Sequence, residues 1–126
     1  MAFNVRPGGK SESVPVVEAV VSGNLVRCAH LIGVAEIDAE EGRDGVFYTT
    51  LALEGVANLP ITGAVTVGQV VYTTTAHTAG QPGVVATLTT TAGTGALPVG
   101  IATRAKGTGA GTVWLKLTPN TSAPAV

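Results

Sequence analysis

The sequence predicts an all-β fold, a small β-barrel or β-sandwich of short strands with an extended N-terminal arm. Val and Thr recur along the whole chain, and Gly or Pro interrupts them every few residues. This pattern is typical of short strands joined by tight turns. No stretch sustains the 3.6-residue periodicity of an amphipathic helix. At 126 residues, the chain has the size of one domain.

Three segments follow one another along the chain. Residues 1–13 form an arm that is too rich in Gly and charge to pack alone. Residues 14–118 form the β domain, with a Thr/Gly/Ala-rich insertion at about 75–95, and residues 119–126 form a loose tail. Pro15 indicates an edge strand or the start of a strand, and Pro60 is expected to end a strand. The predicted strands are 14–21, 25–29, 31–36, 46–54 with a continuation to 59, 70–74, 85–90, 97–105 and 112–117.

Two parts of the domain resemble each other in motif and spacing. In each, a Gly-containing strand start precedes a Gly-apolar-Ala triplet, whose Gly lies 13 residues before a Val-aromatic pair. The matched pieces are 23–26 with 68–71, 33–35 with 100–102, and 46–47 with 113–114. We interpret the chain as two related β-units, the second enlarged by the insertion, that close into a small barrel. The alternative is coincidence in a sequence rich in Gly, Val and Thr.

Composition excludes some partners and favours others. Charged residues make up 12% of the chain, about half the usual share, and the mean hydropathy is +0.41. We therefore expect like chains or a larger partner to cover part of the surface, unless it is simply neutral. The net charge is −1 with Lys and Arg dispersed, so no basic patch for nucleic acid is predicted. No apolar run approaches the ~20 residues that span a bilayer.

No catalytic, cofactor or metal site is predicted. Cys28 and His30 offer two ligands where a metal site needs three or four, and no helix N-terminus follows to activate the thiol. We interpret them as a half-buried pair on a strand, and expect His77 to be equally dispensable for chemistry. The acidic stretch 36–45 lacks the spacing of a calcium loop. Residues 107–111 precede a strand rather than the helix that a phosphate-binding loop needs, so both stretches are interpreted as turns.

The closing strand "TVWLKL" at 112–117 is apolar on both faces. Alternation places Trp114 opposite Val113 and Leu115. We expect Trp114 to be substantially buried, with the strand covered by the core on one face and by a neighbour on the other. The N-terminal arm shows a similar pattern, because Phe3 and Val5 alternate as in a short strand and Arg6 adds a charge.

Several motifs, in this order, resemble the capsid cement (head decoration) protein family of tailed phages. The resemblance covers roughly residues 14–118. Its most specific pieces are "GVANLP", "VGQVVY", "VGIAT" and the closing "VWLKL", none of which is a catalytic signature. The long Thr-rich insertion and the N-terminal arm depart from the family pattern as we know it.

The resemblance implies a non-enzymatic structural protein that is made in the host cytoplasm and binds the outside of the capsid. Its partner would be the major capsid protein, and it would stabilise the expanded shell as a homo-oligomer, with a trimer favoured. No cofactor, nucleic acid or membrane is implied. Phe3, Val5, Arg6 and Trp114 are the hypothesised capsid or subunit contacts. Two alternatives remain: a virion module that binds carbohydrate or a host envelope, and a small hydrolase, which the lack of a site disfavours.

Overall fold

A computed structural model describes residues 11–73 and 76–117, and it confirms the all-β fold. The described residues form eleven strands and contain no helix. The strands are β1 Ser11–Val16, β2 Leu25–Cys28, β3 Leu31–Ala35, β4 Glu40–Glu41, β5 Phe47–Ala52, β6 Gly55–Thr62, β7 Val70–Thr73, β8 Val84–Val85, β9 Leu88–Thr89, β10 Leu97–Ala102 and β11 Ala110–Leu117.

The strands form two curled sheets, each shaped like half a barrel. The first sheet has the order β1-β5-β3-β2-β8, with β4 beside β5, and the second has the order β6-β11-β10-β7-β9. The paired strands are antiparallel. β8 and β9 both come from the predicted insertion, so this segment supplies one edge strand to each sheet.

The two sheets repeat one arrangement, which confirms the internal similarity seen in the sequence. Strands β1, β5, β3, β2 and β8 of the first sheet correspond to β6, β11, β10, β7 and β9 of the second. Ala35 pairs with Leu51 in the first sheet, and Ala102 pairs with Leu115 in the second. All four side chains are buried.

The turns that precede β2 and β7 are also equivalent. The Asn24 side chain accepts a hydrogen bond from the Val21 N–H at 2.9 Å, and the Gln69 side chain accepts one from the Thr66 N–H at 2.9 Å. Each amide therefore closes its own turn three residues back. The 45-residue offset between these turns also relates β1 to β6.

One of the predicted correspondences is wrong. The sequence spacing matches Val46-Phe47 with Val113-Trp114, whereas the paired sheets place Thr50 at the position equivalent to Trp114. The shift arises because Leu51 follows its partner Ala35 by 16 residues, whereas Leu115 follows its partner Ala102 by 13. The extra length carries the two-residue strand β4, which pairs with β5.

Most strand boundaries differ from the predicted ones, among them the end of β6 and the start of β1. β6 continues through Pro60 to Thr62, because β6 is an edge strand and the missing N–H of Pro60 faces away from β11. β1 begins at Ser11 and pairs with Ala52 of β5. Three residues that the sequence assigned to the arm therefore belong to the first sheet.

The buried apolar side chains form two clusters. The smaller cluster lies in the first sheet and consists of Val14, Val16, Val20, Val26, Ala35 and Leu51. The larger one joins both sheets and consists of Leu25, Ile32, Leu59, Ile61, Val65, Val71, Ala86, Leu88, Leu97, Val99, Ala102, Val113, Leu115 and Leu117. The second half of the chain thus packs its core against residues of the first half.

Candidate docking surface

Trp114 lies on the outer face of the second sheet and is 47% exposed. Val113, Leu115 and Leu117 point the other way and are buried in the core. The predicted alternation of this strand is therefore confirmed. Within the single chain Trp114 is only half-buried, because β11 has core on only one of its faces, and its predicted cover by a neighbour stays a prediction.

A row of side chains crosses the outer face of the second sheet next to Trp114. Lys116 of β11 pairs with Val56 of β6 and with Ile101 of β10, and Ile101 pairs with Val70 of β7. Directly paired residues project to the same face of a sheet, so all four point outward beside Trp114. We call these five residues the Trp114 face.

The Trp114 face is apolar and open. Val56, Ile101 and Val70 are 58%, 40% and 38% exposed, respectively. Neighbouring strands lie about 4.8 Å apart, so the row spans roughly 14 Å across four strands. A cluster of exposed large apolar side chains around one Trp is typical of an interaction surface rather than of scattered surface residues.

The equivalent positions of the first sheet are polar or covered. Thr50 stands where the second sheet has Trp114, and Ser11 where it has Val56. Leu25, equivalent to Val70, is buried in the larger core cluster, and Val34, equivalent to Ile101, packs against it. The first half therefore carries small, polar or partly buried side chains where the second half exposes large apolar ones.

Lys116 places a positive charge in the middle of this apolar row. Its side chain is exposed between Val56 and Ile101. A long Lys side chain can lay its methylene groups on apolar neighbours and keep its ammonium group outward. A complementary partner surface would therefore be mainly apolar, with one acidic group opposite Lys116.

Cys28 and His30 do not form the predicted pair on a strand. β2 ends at Cys28 and β3 begins at Leu31, so Ala29 and His30 form a two-residue turn, in which Ala29 has a φ of 55°. The turn was missed because Ala and His are not typical of such positions. Burial raises the pKa of the Cys28 thiol, which disfavours the reactive thiolate.

His77 holds the insertion against this turn. Its Nδ1 accepts a hydrogen bond from the Ala29 N–H at 2.8 Å. Its Nε2 lies 2.6 Å from the carbonyl oxygen of Pro82, so the neutral ring with the proton on Nε2 satisfies both contacts. Both ring nitrogens are engaged with the backbone, and this gives the residue a structural role.

Two cations serve as backbone clamps. The buried Arg27 donates to the carbonyl oxygens of Ala29 at 2.8 Å and Gly95 at 2.6 Å, and burial lowers its pKa. Lys106 Nζ donates to the carbonyl oxygens of Gly63 at 3.0 Å, Gly107 at 2.9 Å and Gly109 at 2.5 Å. These charges hold turns of the protein, among them the glycine-rich hairpin before β11.

The acidic stretch also has local partners. The Asp44 carboxylate accepts hydrogen bonds from the Tyr48 hydroxyl at 2.7 Å and the Val46 N–H at 3.0 Å. The hydrogen bond from Tyr48, followed by that from Val46, lowers the pKa of Asp44. Over residues 11–73 and 76–117, no three His, Cys, Asp or Glu side chains gather into a possible metal site.

Within the described ranges, no helix is long and apolar enough to cross a membrane. The other hypothesised contacts, Phe3, Val5 and Arg6, lie outside the described residues. Val56, Val70 and Ile101 were missed as contact residues, because only the strand register shows that they flank Lys116. The sequence gives one signal of this surface. Strands β10 and β11 carry apolar residues on both of their faces, so one of those faces must lie outside the core.

The fold and the Trp114 face together define an all-β protein with an exposed apolar surface. A family model described as phage cement protein matches residues 6–117 of the chain, and the chain belongs to that family. Comparison with curated proteins and with solved structures gave no match. The family confirms the resemblance seen in the sequence and establishes a capsid-associated structural protein of the bacteriophage virion.

Proposed function

We propose that this protein binds the outer surface of the capsid through the Trp114 face and stabilises the expanded shell. The observation that carries the proposal is the exposed apolar row beside Trp114, on a sheet whose equivalent in the first half lacks such a row. The partner would be the major capsid protein. It would present an apolar patch with a carboxylate placed to meet Lys116.

The energy available at this face suits attachment in many copies. A buried Trp covers roughly 150–250 Å², and about half of Trp114 is still exposed. At about 25 cal/mol per Å², covering the rest contributes about 2–3 kcal/mol, and the three aliphatic side chains add smaller amounts. Binding costs several kcal/mol in lost freedom of motion. The binding free energy of one copy is therefore modest, and several linked copies would bind the capsid firmly through multivalency.

An oligomer would supply this multivalency, and a trimer at a local three-fold position of the shell is the favoured form. The low charge of the chain supports self-association, since only 12% of its residues are charged and little repulsion keeps copies apart. We also propose that the N-terminal arm provides a second contact, either with the capsid or with a neighbouring copy. Ordering about ten residues costs on the order of 10 kcal/mol, which burial of Phe3 and Val5 and a charge contact of Arg6 must offset.

A carbohydrate- or envelope-binding role is not proposed. Such sites present several aromatic platforms, and among the described aromatic residues only Trp114 is strongly exposed. An enzymatic role is not proposed either. His77 and Asp44 hydrogen-bond to groups that hold the fold, burial raises the pKa of the Cys28 thiol, and His30 is exposed in a turn.

A binding experiment on capsids tests the proposal. Expanded capsids that lack the protein would be titrated with wild-type chain, with Trp114→Ala, and with Val21→Ala, and bound chain would be measured by co-sedimentation. Val21 is a matched control, because it is also 47% exposed but lies in a turn of the first half. We expect saturation at a fixed number of copies, at least a tenfold loss of affinity for Trp114→Ala, and a change within twofold for Val21→Ala. Unchanged binding of Trp114→Ala would show that this face is not the contact.

A further inference from the structure

The acidic side chains of the protein are confined to its first half. All eight Asp and Glu residues lie between Glu12 and Glu54, and the sequence after Glu54 contains none. The charged residues of that later part are Arg104, Lys106 and Lys116. The two halves, which share one strand arrangement, therefore differ in the sign of their charge.

The difference is greatest in two equivalent connections of the fold. Because β3 and β5 correspond to β10 and β11, the connection 36–46 corresponds to the connection 103–109. The first contains five carboxylates and a single Arg, whereas the second contains Arg104 and Lys106 and no carboxylate. All five carboxylate side chains and that of Arg104 are exposed. Equivalent places on the two halves thus present opposite charges to the outside.

Both connections are held against the turn of their own half. The Ala39 N–H donates to the Val20 carbonyl at 2.9 Å, and the Lys106 N–H donates to the Val65 carbonyl at 2.8 Å. Val20 and Val65 are buried, and they are equivalent residues of the turns before β2 and β7. The backbone of each connection is therefore anchored to the core, and its charges stand at defined positions on the surface.

The acidic connection exposes one large apolar side chain among its carboxylates. Ile37 lies between Glu36 and Asp38 and is 42% exposed. Its carbonyl accepts a hydrogen bond from the hydroxyl of the buried Thr49 at 2.6 Å, which fixes the backbone while the side chain stays open. We call residues 36–46 the acidic patch.

The basic connection has an exposed apolar neighbour as well. Val67 is 66% exposed, the largest fraction of any large apolar side chain in the described part of the chain. The next residue, Gly68, donates its N–H to the Ala102 carbonyl at 2.8 Å, so Val67 lies where the basic connection begins. Arg104 donates to the Thr103 carbonyl at 3.4 Å, which leaves its charge without a carboxylate partner. We call Val67 and residues 103–109 the basic patch.

We propose that the acidic patch of one copy docks on the basic patch of the next copy. Ile37 and Val67 would meet at the centre of the contact, and the carboxylates around Ile37 would face Arg104 at its rim. An apolar centre with a polar rim is the usual anatomy of a protein interface. Complementary rim charges fix orientation and speed association more than they raise affinity. The contact should therefore be weak in free chain and form readily among copies held together on one shell.

The charges select a head-to-tail contact over a symmetric one. Two acidic patches would repel each other, and so would two basic patches. A contact between two different surfaces closes into a ring when the rotation between copies allows it. The inference rests on the oligomer that the proposed function includes, and it names the surfaces by which the copies meet. Neither patch contains a residue of the Trp114 face, so the contacts with neighbours and with the shell use separate surfaces.

Disulfide trapping tests the direction of the contact, because a disulfide forms only where two Cys Cα atoms come within about 7 Å. Two full-length chains would be made with Cys28→Ser, one carrying Ile37→Cys and the other, with an affinity tag, Val67→Cys. Each would be oxidised alone and as an equal mixture, free and on capsids, and analysed on non-reducing gels. We expect the mixed disulfide on capsids in at least tenfold excess over either homodimer. A statistical mixture, an excess of either homodimer, or absence of the mixed disulfide in both settings would overturn the proposal.

Charge reversal in the same trapping experiment gives an independent readout. Glu40→Lys with Glu41→Lys would be placed in the Ile37→Cys chain, and Arg104→Glu in the Val67→Cys chain, with circular dichroism as the check of folding. Glu54→Lys in the Ile37→Cys chain is the matched control, because Glu54 is an exposed carboxylate outside both patches.

We expect reversal of either patch alone to lower the yield of mixed disulfide at least tenfold. Reversal of both patches should restore it to within threefold, and the control should leave it within twofold. An equal loss in the control, or no recovery when both patches are reversed, would contradict the pairing. Co-sedimentation of Trp114→Ala with capsids is scored separately, so failure of this inference is distinguished from failure of the proposed function.

Discussion

A Cβ atom placed on Gly100 would lie 2.5 Å from the carbonyl oxygen of Lys116, and one on Gly33 would lie 2.8 Å from that of Ala52. Gly33 and Gly100 occupy equivalent positions in the two sheets. In each half, the middle strand therefore approaches its neighbour at a point where no side chain fits. The repeated Gly-apolar-Ala motif thus has a packing reason in both halves.

Adding a methyl group at this approach should destabilise the fold. We expect Gly100→Ala to lower the free energy of unfolding by about 1–3 kcal/mol, the usual cost of overpacking, as measured by urea denaturation. Gly107→Ala is the control, because a Cβ there would have no atom within 4 Å. Equal stability of the two variants would show that the backbone of β11 at Lys116 does not approach Gly100 closely enough to exclude a side chain.

Neighbouring positions of β11 should separate core packing from surface contact. Leu115 is fully buried, and we expect Leu115→Ala to cost about 2–5 kcal/mol in the isolated chain. Trp114 is about half exposed, so its truncation removes fewer packing contacts. We expect Trp114→Ala to lower the free energy of unfolding by less than about 1.5 kcal/mol. Comparable losses in urea denaturation would show that Trp114 belongs to the core.

The two histidines should differ in their effect on stability. His77→Ala removes the acceptor for the Ala29 N–H and the donor to Pro82, and we expect a loss of about 1–3 kcal/mol. His30 is exposed in the turn, and His30→Ala should change stability by less than about 0.5 kcal/mol. Thermal denaturation of both variants measures the difference. An equal effect would contradict the role of His77 in holding the insertion against the β2–β3 turn.

The contact between Tyr48 and Asp44 predicts a specific change in titration. The pKa of Asp44 is lowered chiefly by the Tyr48 hydroxyl, so the contact stabilises the fold above the unfolded-state pKa and is lost as the pH falls through the folded-state pKa. We expect Tyr48→Phe to raise the pKa of Asp44, as measured by NMR titration of its carboxyl carbon. Tyr72→Phe is the control and should leave that pKa unchanged.

Much of the fold could be predicted from the sequence, because it depends on local patterns. The density of β-branched residues predicted the all-β class, and the Gly-apolar-Ala motif predicted the duplication. The alternation of "TVWLKL" predicted that Trp114 and Leu115 face opposite sides. These features rest on turn chemistry and on the two-residue period of strands.

The candidate surfaces could be predicted only in part, because they depend on register. Nothing local in the sequence says that Val56 and Ile101 flank Lys116, since strands far apart in the chain supply them. The β2–β3 turn was missed because Ala29 adopts a left-handed conformation usual for Gly or Asn.

The stability of filled capsids tests the central claim most directly. Capsids that lack the protein would be heated alone, with wild-type chain at saturation, and with Trp114→Ala at the same concentration. DNA release would be followed with an intercalating dye that cannot enter intact shells. We predict that wild-type chain raises the release temperature by several degrees and that Trp114→Ala at equal concentration does so much less. Release at the same temperature with and without bound wild-type chain would contradict a cementing role.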